Sequence, residues 1–351
     1  MKTINYHIAG SAFDLFPTES YFGLFSLEDG SMAEVPQQYP FSGPWGGLIV
    51  ENVPLREKLP MPNAFKMVYL SVVEEKFYYI SIPVNSSVMG IIFEEFSMKT
   101  TIIPYNIIVG MSPYGGVSLW LGNTQKQILL GWFRGNEIDV PMQDFLPQQP
   151  ALPLHEYCMD YIINGSRVKK NIEKNGLPSR NLFDDYMKQF NYRYLVLFEQ
   201  WDEDDKIWRK SEEIEGEVLP ELDYIEEALF DGSHDKLHDG GLMNYHGAGK
   251  PKKLAVKWHI KKSEYTAYFW FEDEEICSVF DRFYGAHPET KTDFMIRIDS
   301  EKKKFELALY RYGLKEPQVI RESAYQLIVF KNKFEYFRSE NYDQPRGAWI
   351  W

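Results

Sequence analysis

The chain has 351 residues, of which 44% are hydrophobic, 16% aromatic and 25% charged, with a formal net charge of −13. That apolar content can fill more than one core and excludes disorder as the main state, while the acidic balance excludes broad affinity for nucleic acid or anionic membrane, which needs basic surface. Cys158 and Cys277 lie far apart in unlike contexts, which excludes a disulfide framework.

In chain order, MKTINYHIAGSAFDLF lacks the apolar run of a secretory signal, and no later stretch reaches the roughly 20 apolar residues of a membrane span. A cytoplasmic protein is the expectation. Ile4 to Ala9 and Tyr21 to Leu27 read as short strands, and the Pro- and Gly-rich stretch from Gln37 to Pro62 reads as loop. From Lys66 the alternation sharpens. Val68, Leu70 and Val72 share one face, Glu74-Glu75-Lys76 turns the chain, and Phe77 to Ile82 returns antiparallel. Asn85 to Ser87 offers N-cap oxygens to a helix carrying Val88, Ile91, Ile92 and Phe96 on one face. Strands follow at Asn106 to Met111, Gly116 to Leu121 and Gln127 to Phe133, the first two divided by the turn Ser112-Pro113-Tyr114-Gly115.

The same order recurs near the C-terminus. Without gaps, Leu254 to Tyr284 pairs Val68 with Val256, Leu70 with Trp258 and Phe77 with Tyr265. A helix capped by Asp273 then carries Ile276, Val279, Phe280 and Phe283, and strands follow at Asp293 to Ile298, Lys304 to Tyr310 and Gln318 to Glu322. The expected fold is α+β: two tandem similar domains, each a twisted antiparallel sheet with one covering helix. We place the first domain at 1–148, a helical connector at 149–180 and the second domain at 181–351, whose first strand, Tyr192 to Gln200, corresponds to Asn5 to Ala9.

The hairpin LSVVEEKFYYISIPV, followed by YNIIVGMSPYGGVSLWL and ILLGWFRGNEIDV, resembles a bacterial family of unknown function whose members are small lipoproteins. Residues 58–146 carry the resemblance. The second half shares the pattern but has Asp299-Ser300-Glu301-Lys302 in place of the SPYGG turn. The chain also departs from the family in lacking a lipoprotein leader and in being double. Some family members are neighbours of antibacterial toxins, so the resemblance implies an immunity-like protein. It implies no catalytic residues.

Three polar features are candidates for function. The stretch FDGSHDKLHDGGLMNYH holds His234, Asp235, His238 and His246, and imidazoles four apart on a helix share a face that can bind one divalent metal, the only cofactor the sequence suggests. The run Asp202, Glu203, Asp204 and Asp205 reads either as a hairpin turn between Tyr192 to Gln200 and Ile207 to Lys210 or as a surface for a basic partner. Tyr114 in the SPYGG turn, and Trp349 and Trp351 in the terminal RGAWIW, are candidate partner anchors. The paired carboxylates Glu74-Glu75 and Glu94-Glu95 read as solvated, and phosphate-loop and nucleophile-elbow motifs are absent.

The leading expectation is therefore a non-enzymatic binder of a basic or toxin protein, working through a cleft between the domains. A metal-binding protein or metal-dependent hydrolase built on the histidine stretch and a small-ligand or carbohydrate binder are the alternatives.

Overall fold

The computed structural model describes residues 3–37, 40–41, 43, 45–47, 50–52, 58–97, 105–210, 220–238 and 242–342. The chain divides into two units, Met1–Asp184 and Asp185–Trp351. It is rich in antiparallel sheet with few helices, an α+β composition. Among the described residues, no helix is long and apolar enough to cross a membrane.

In the first unit, Pro62–Ser71 pairs antiparallel with Lys76–Pro83 on one side and Thr18–Leu27 on the other. A second sheet sets Tyr6–Ala12 parallel to Tyr105–Met111 and continues antiparallel through Gly116–Gly122 to Gln127–Arg134. Alternation sends every second side chain inward, so Phe25, Phe65, Met67 and Ile80 meet Ile8, Ile107, Val109, Val117 and Leu119 in one core. The opposite face of the hairpin is also covered. Leu70, Val72 and Phe77 pack against Phe145, Cys158, Ile162 and Val168, carried by Met142–Phe145, Leu154–Asn164 and Ser166–Asn175. The helices expected as a connector thus form a layer of the first unit, and burial on both faces explains why the hairpin reads as an almost continuous apolar run.

Asn85 caps the helix Ser86–Ser97, its Oδ1 accepting the Val88 amide at 3.1 Å. The helix buries Met89 and Phe93, because Phe93 must reach the rings of Tyr6 and Tyr105 at 5.6 and 5.8 Å. The expected apolar face is rotated accordingly: Ile92 packs against the core, whereas Val88 and Ile91 are 47% and 62% exposed. The Phe96 side chain lies outside the described residues.

The second unit repeats this course. Phe190–Asp202 runs parallel to Thr292–Asp299, which pairs with Phe305–Tyr310 and, through it, Gln318–Ile320. The other sheet runs from Glu221–Leu229 through Pro251–Ile260 and Ser263–Phe271 to Tyr325–Lys331. Ring contacts of Phe198 with Trp258 at 6.0 Å and Phe269 with Phe305 at 5.9 Å tie the two sheets together. The helix Asp273–Tyr284 buries Ile276, Val279, Phe280 and Phe283, as its spacing predicts. Its N-cap is Glu272, without a side-chain cap bond, and Asp273 instead accepts the Tyr186 hydroxyl at 2.5 Å.

One expectation needs correction. The gapless pairing of the two hairpins sets Val68 and Leu70, which face the helices, against Val256 and Trp258, which face the sandwich core. The matching inward set in the first unit is Phe65, Met67 and Tyr69, one residue away. The turns account for the slip. Ser71 pairs with Lys76 across four intervening residues, whereas Ile260 pairs with Ser263 across two. A one-residue slip exchanges the faces of a strand.

Close packing in the first unit makes Gly110 a sensitive position, since a Cβ there would lie 2.3 Å from the Trp120 ring and 2.9 Å from Trp45. Gly110→Ala is expected to destabilise the protein by about 1–3 kcal/mol through overpacking. Urea unfolding measures it, and an unchanged midpoint would contradict this packing.

Candidate functional site

The histidine stretch does not form the expected helix. His234–Leu237 is a strand paired antiparallel with Glu221–Leu229, in the register Ala228 to His234 and Glu226 to Lys236. In extended chain, residues four apart are separated by about 13 Å, so His234 and His238 lose the shared helical face that motivated a metal site. His238 Nδ1 lies 3.3 Å from the Asp223 carbonyl, and His246 Nδ1 lies 3.3 Å from that of Asn244. Asp235 Oδ1 accepts the Lys236 amide at 2.7 Å. Among the described residues, no group of three or more His, Cys, Asp or Glu is placed to hold a metal ion.

The strand pairing instead builds a buried acidic cluster around His246. His246–Ala248 pairs with the start of Phe190–Asp202, setting His246 opposite Tyr192. Glu227, 3% exposed, accepts the Tyr194 hydroxyl at 2.7 Å, and its other oxygen lies 3.9 Å from His246 Nε2, an ion-pair separation longer than a hydrogen bond. Asp231, fully buried, accepts the Ser233 amide at 2.8 Å and the Gln189 side-chain amide at 2.6 Å. Burial pushes the Asp231 carboxyl up despite these donors. Burial by itself lowers the pKa of His246, but the neighbouring Glu227 outweighs it and the net shift is upward. The cluster joins strands and the turn at Asp231, and in sequence it leaves no signal of burial, since Glu227 stands beside Glu226 and Asp231 beside Gly232 in a turn.

The SPYGG turn is likewise pinned from several sides. Tyr114 sits at φ 61°, a conformation unusual for a non-glycine residue, and Glu74 Oε2 accepts its amide at 2.7 Å. The Tyr78 hydroxyl donates to Oε1 of the same carboxylate at 3.0 Å. Arg134 Nη1 donates to the Tyr114 carbonyl at 3.0 Å, and the Tyr114 hydroxyl donates to Pro178 O at 3.0 Å. Tyr114 is therefore engaged within the first unit rather than presented as an anchor. Glu74, read from sequence as solvated, is the residue that orders the turn, and its neighbour Glu75 pairs with His155 at 2.7 Å.

The acidic run forms the expected hairpin. Phe190–Asp202 pairs antiparallel with Ile207–Lys210, in the register Trp201 to Trp208 and Asp202 to Ile207. Asp202 folds the tip by accepting the amides of Asp204 and Asp205, each at 3.0 Å, and Arg209 bridges Asp202 and Asp205 at 2.8 and 2.6 Å. Two of the four acids are thus paired internally. Glu203 and Asp204 are exposed at the tip; Ile207, 46% exposed, lies on the face of Asp202 and Arg209, while the half-buried rings of Trp201 and Trp208, 5.3 Å apart, lie on the opposite face. The base is held by Asp299, which accepts the Trp201 amide at 2.8 Å. Trp349 and Trp351 lie outside the described residues. A shallow cavity of about 360 Å³ at the start of the Asp273 helix is lined by Glu272, Asp273, Glu274 and Glu275, an acidic lining unlike that of an apolar ligand pocket.

Residues 42–179 match the model of a family described as a protein of unknown function, DUF2931. This range holds the hairpin, the SPYGG turn and the helices from Ser86 to Asn175 of the first unit; the acidic hairpin and the His246 cluster lie beyond it. No curated protein matches the chain, and no solved structure does.

The upward shift of His246 carries a sign. A base whose pKa is raised on folding contributes stability fully present below its unfolded value, about 6.5, and lost as pH rises through the folded value. Replacing His246 with Gln is therefore expected to cost at most about 1 kcal/mol in acid and progressively less above neutrality. Denaturant unfolding of both proteins across this range reads the difference, and a gap that stays constant with pH would remove His246–Glu227 as its source.

Proposed function

We propose that the protein is a non-catalytic binder of a basic protein partner, which it engages through the acidic hairpin of the second unit. The observation that carries this reading is the composition of the tip: exposed Ile207, on the face of the Asp202–Arg209 ion pair and next to Glu203 and Asp204 in the turn. An apolar anchor rimmed by charge is the arrangement in which few residues supply most of a binding energy, the charges steering encounter. The net charge of −13 favours the same kind of partner. The immunity-like role implied by the resemblance is the narrower form of this proposal, with a toxin as the partner and inhibition by coverage as the mechanism.

We also infer that the two units arose by duplication. Support comes from their shared course: first strand, antiparallel hairpin, helix, and a return strand parallel to the first. The metal-dependent alternative draws no support from the placement of His234, His238 and His246.

Co-purification from the source cells is expected to retain a basic protein in stoichiometric amount. Ile207→Asp combined with Asp204→Lys is expected to weaken its binding at least tenfold, about 1.4 kcal/mol, with the circular dichroism spectrum unchanged. A partner that binds the double variant with undiminished affinity would move the interface elsewhere, and the absence of any stoichiometric partner would overturn the proposal.

A further inference from the structure

The helix Ser86–Ser97 of the first unit is apolar on two sides. Met89 and Phe93 are buried in the sandwich core. Val88 and Ile91 leave the helix on the other side and are exposed, and because they stand three residues apart their side chains adjoin on one face. A helix that is apolar all round is ordinarily covered all round, and this one shows its second apolar side to solvent. Charge is distributed unevenly along it. Glu94 and Glu95 are exposed toward its C-terminal end, and the helix has no basic residue. Carboxylates at that end oppose the helix dipole, whose negative pole is the C-terminus. At the other end Asn85 takes the Val88 amide through Oδ1 and the Met89 amide through its carbonyl, each at 3.1 Å. The amides of Ser86 and Ser87, in the first turn, have no carbonyl within the helix to reach. The helix therefore presents amide donors at its start and carboxylates at its end, and is complementary to itself when reversed.

We propose that the outer face of this helix is a contact between two copies of the chain, packed antiparallel about a twofold axis. A twofold contact is self-complementary, each patch meeting its own counterpart. With the axis midway between Val88 and Ile91, Val88 of either copy meets Ile91 of the other, and the exposed apolar pair is covered. The same centring brings Glu94 of each copy level with Asn85 of the other. The carboxylates of Glu94 and Glu95 then approach the amides of Ser86 and Ser87, at the positive end of the facing helix. Apolar burial supplies the attraction, and the charge pattern supplies its direction, since a parallel pair would bring the acids of both copies together. A helix of 12 residues, about 18 Å long, offers a contact smaller than a standard interface, so the association is weak and depends on concentration.

Sedimentation equilibrium of the full chain, from micromolar to submillimolar concentration, tests this. The expected result is a reversible equilibrium of monomer and dimer. Ile91→Lys, an exposed change that should leave the circular dichroism spectrum unaltered, is expected to weaken the dimer by about tenfold or more. Glu95→Lys separates the contact from the stability of the helix itself. A cation suits a helix C-terminus, so the melting temperature of the dilute variant is expected to equal or exceed that of the parent, while its dimer weakens. A chain that stays monomeric throughout would leave this face to a different partner and overturn the proposal. A dimer that persists undiminished in both variants would place the contact elsewhere and overturn it equally.

Discussion

The parallel pairing of the first strand with the return strand constrains everything else in each unit. Tyr6–Ala12 lies beside Tyr105–Met111, and Phe190–Asp202 lies beside Thr292–Asp299. Parallel neighbours cannot be joined by a tight turn, so the chain between them must leave the sheet and come back. In both units that excursion is an antiparallel hairpin followed by a helix, and the hairpin becomes the second sheet of a sandwich. Closing so long a loop is entropically costly, and the core between the sheets is what offsets it.

From this shared frame the units diverge on the outer face of the hairpin sheet. In the first, Val68, Leu70, Val72 and Phe77 are apolar there and take up a helical layer. In the second, Lys257, His259 and Tyr268 occupy that face, and ion pairs of Lys257 with Glu264 and of His259 with Asp223, both at 2.8 Å, suit it to water. The acidic hairpin is a further polar feature of the second unit.

Buried polar groups hold the irregular parts in place. The Tyr69 hydroxyl reaches the carbonyls of Ser112 and Gly116, Glu74 holds the Tyr114 amide, and in the second unit the Tyr192 hydroxyl reaches Gly249 O. Each joins segments more than 30 residues apart, so no local pattern announces it. Glu74 shows why the candidate residues were only partly legible: beside Glu75 in a turn it has the composition of a solvated loop, and only the approach of Tyr114 makes it a structural acceptor.

The sequence alone determined the two hairpins, the strands that follow each helix, the N-cap at Asn85 and the buried face of the Asp273 helix. These follow from periodicity and local hydrogen bonding, which act over a few residues. It also determined the acidic turn, because four consecutive carboxylates have no place inside a sheet. Tertiary structure decided the rest: the outer layer formed by the helices after residue 153, the rotation of the Ser86 helix, the one-residue offset between the hairpins and the strand at His234. The reason is common to all four. Local pattern shows which side chains lie together on one face, but what that face meets depends on segments far away in the chain, and a strand reverses its faces with a single residue of slip.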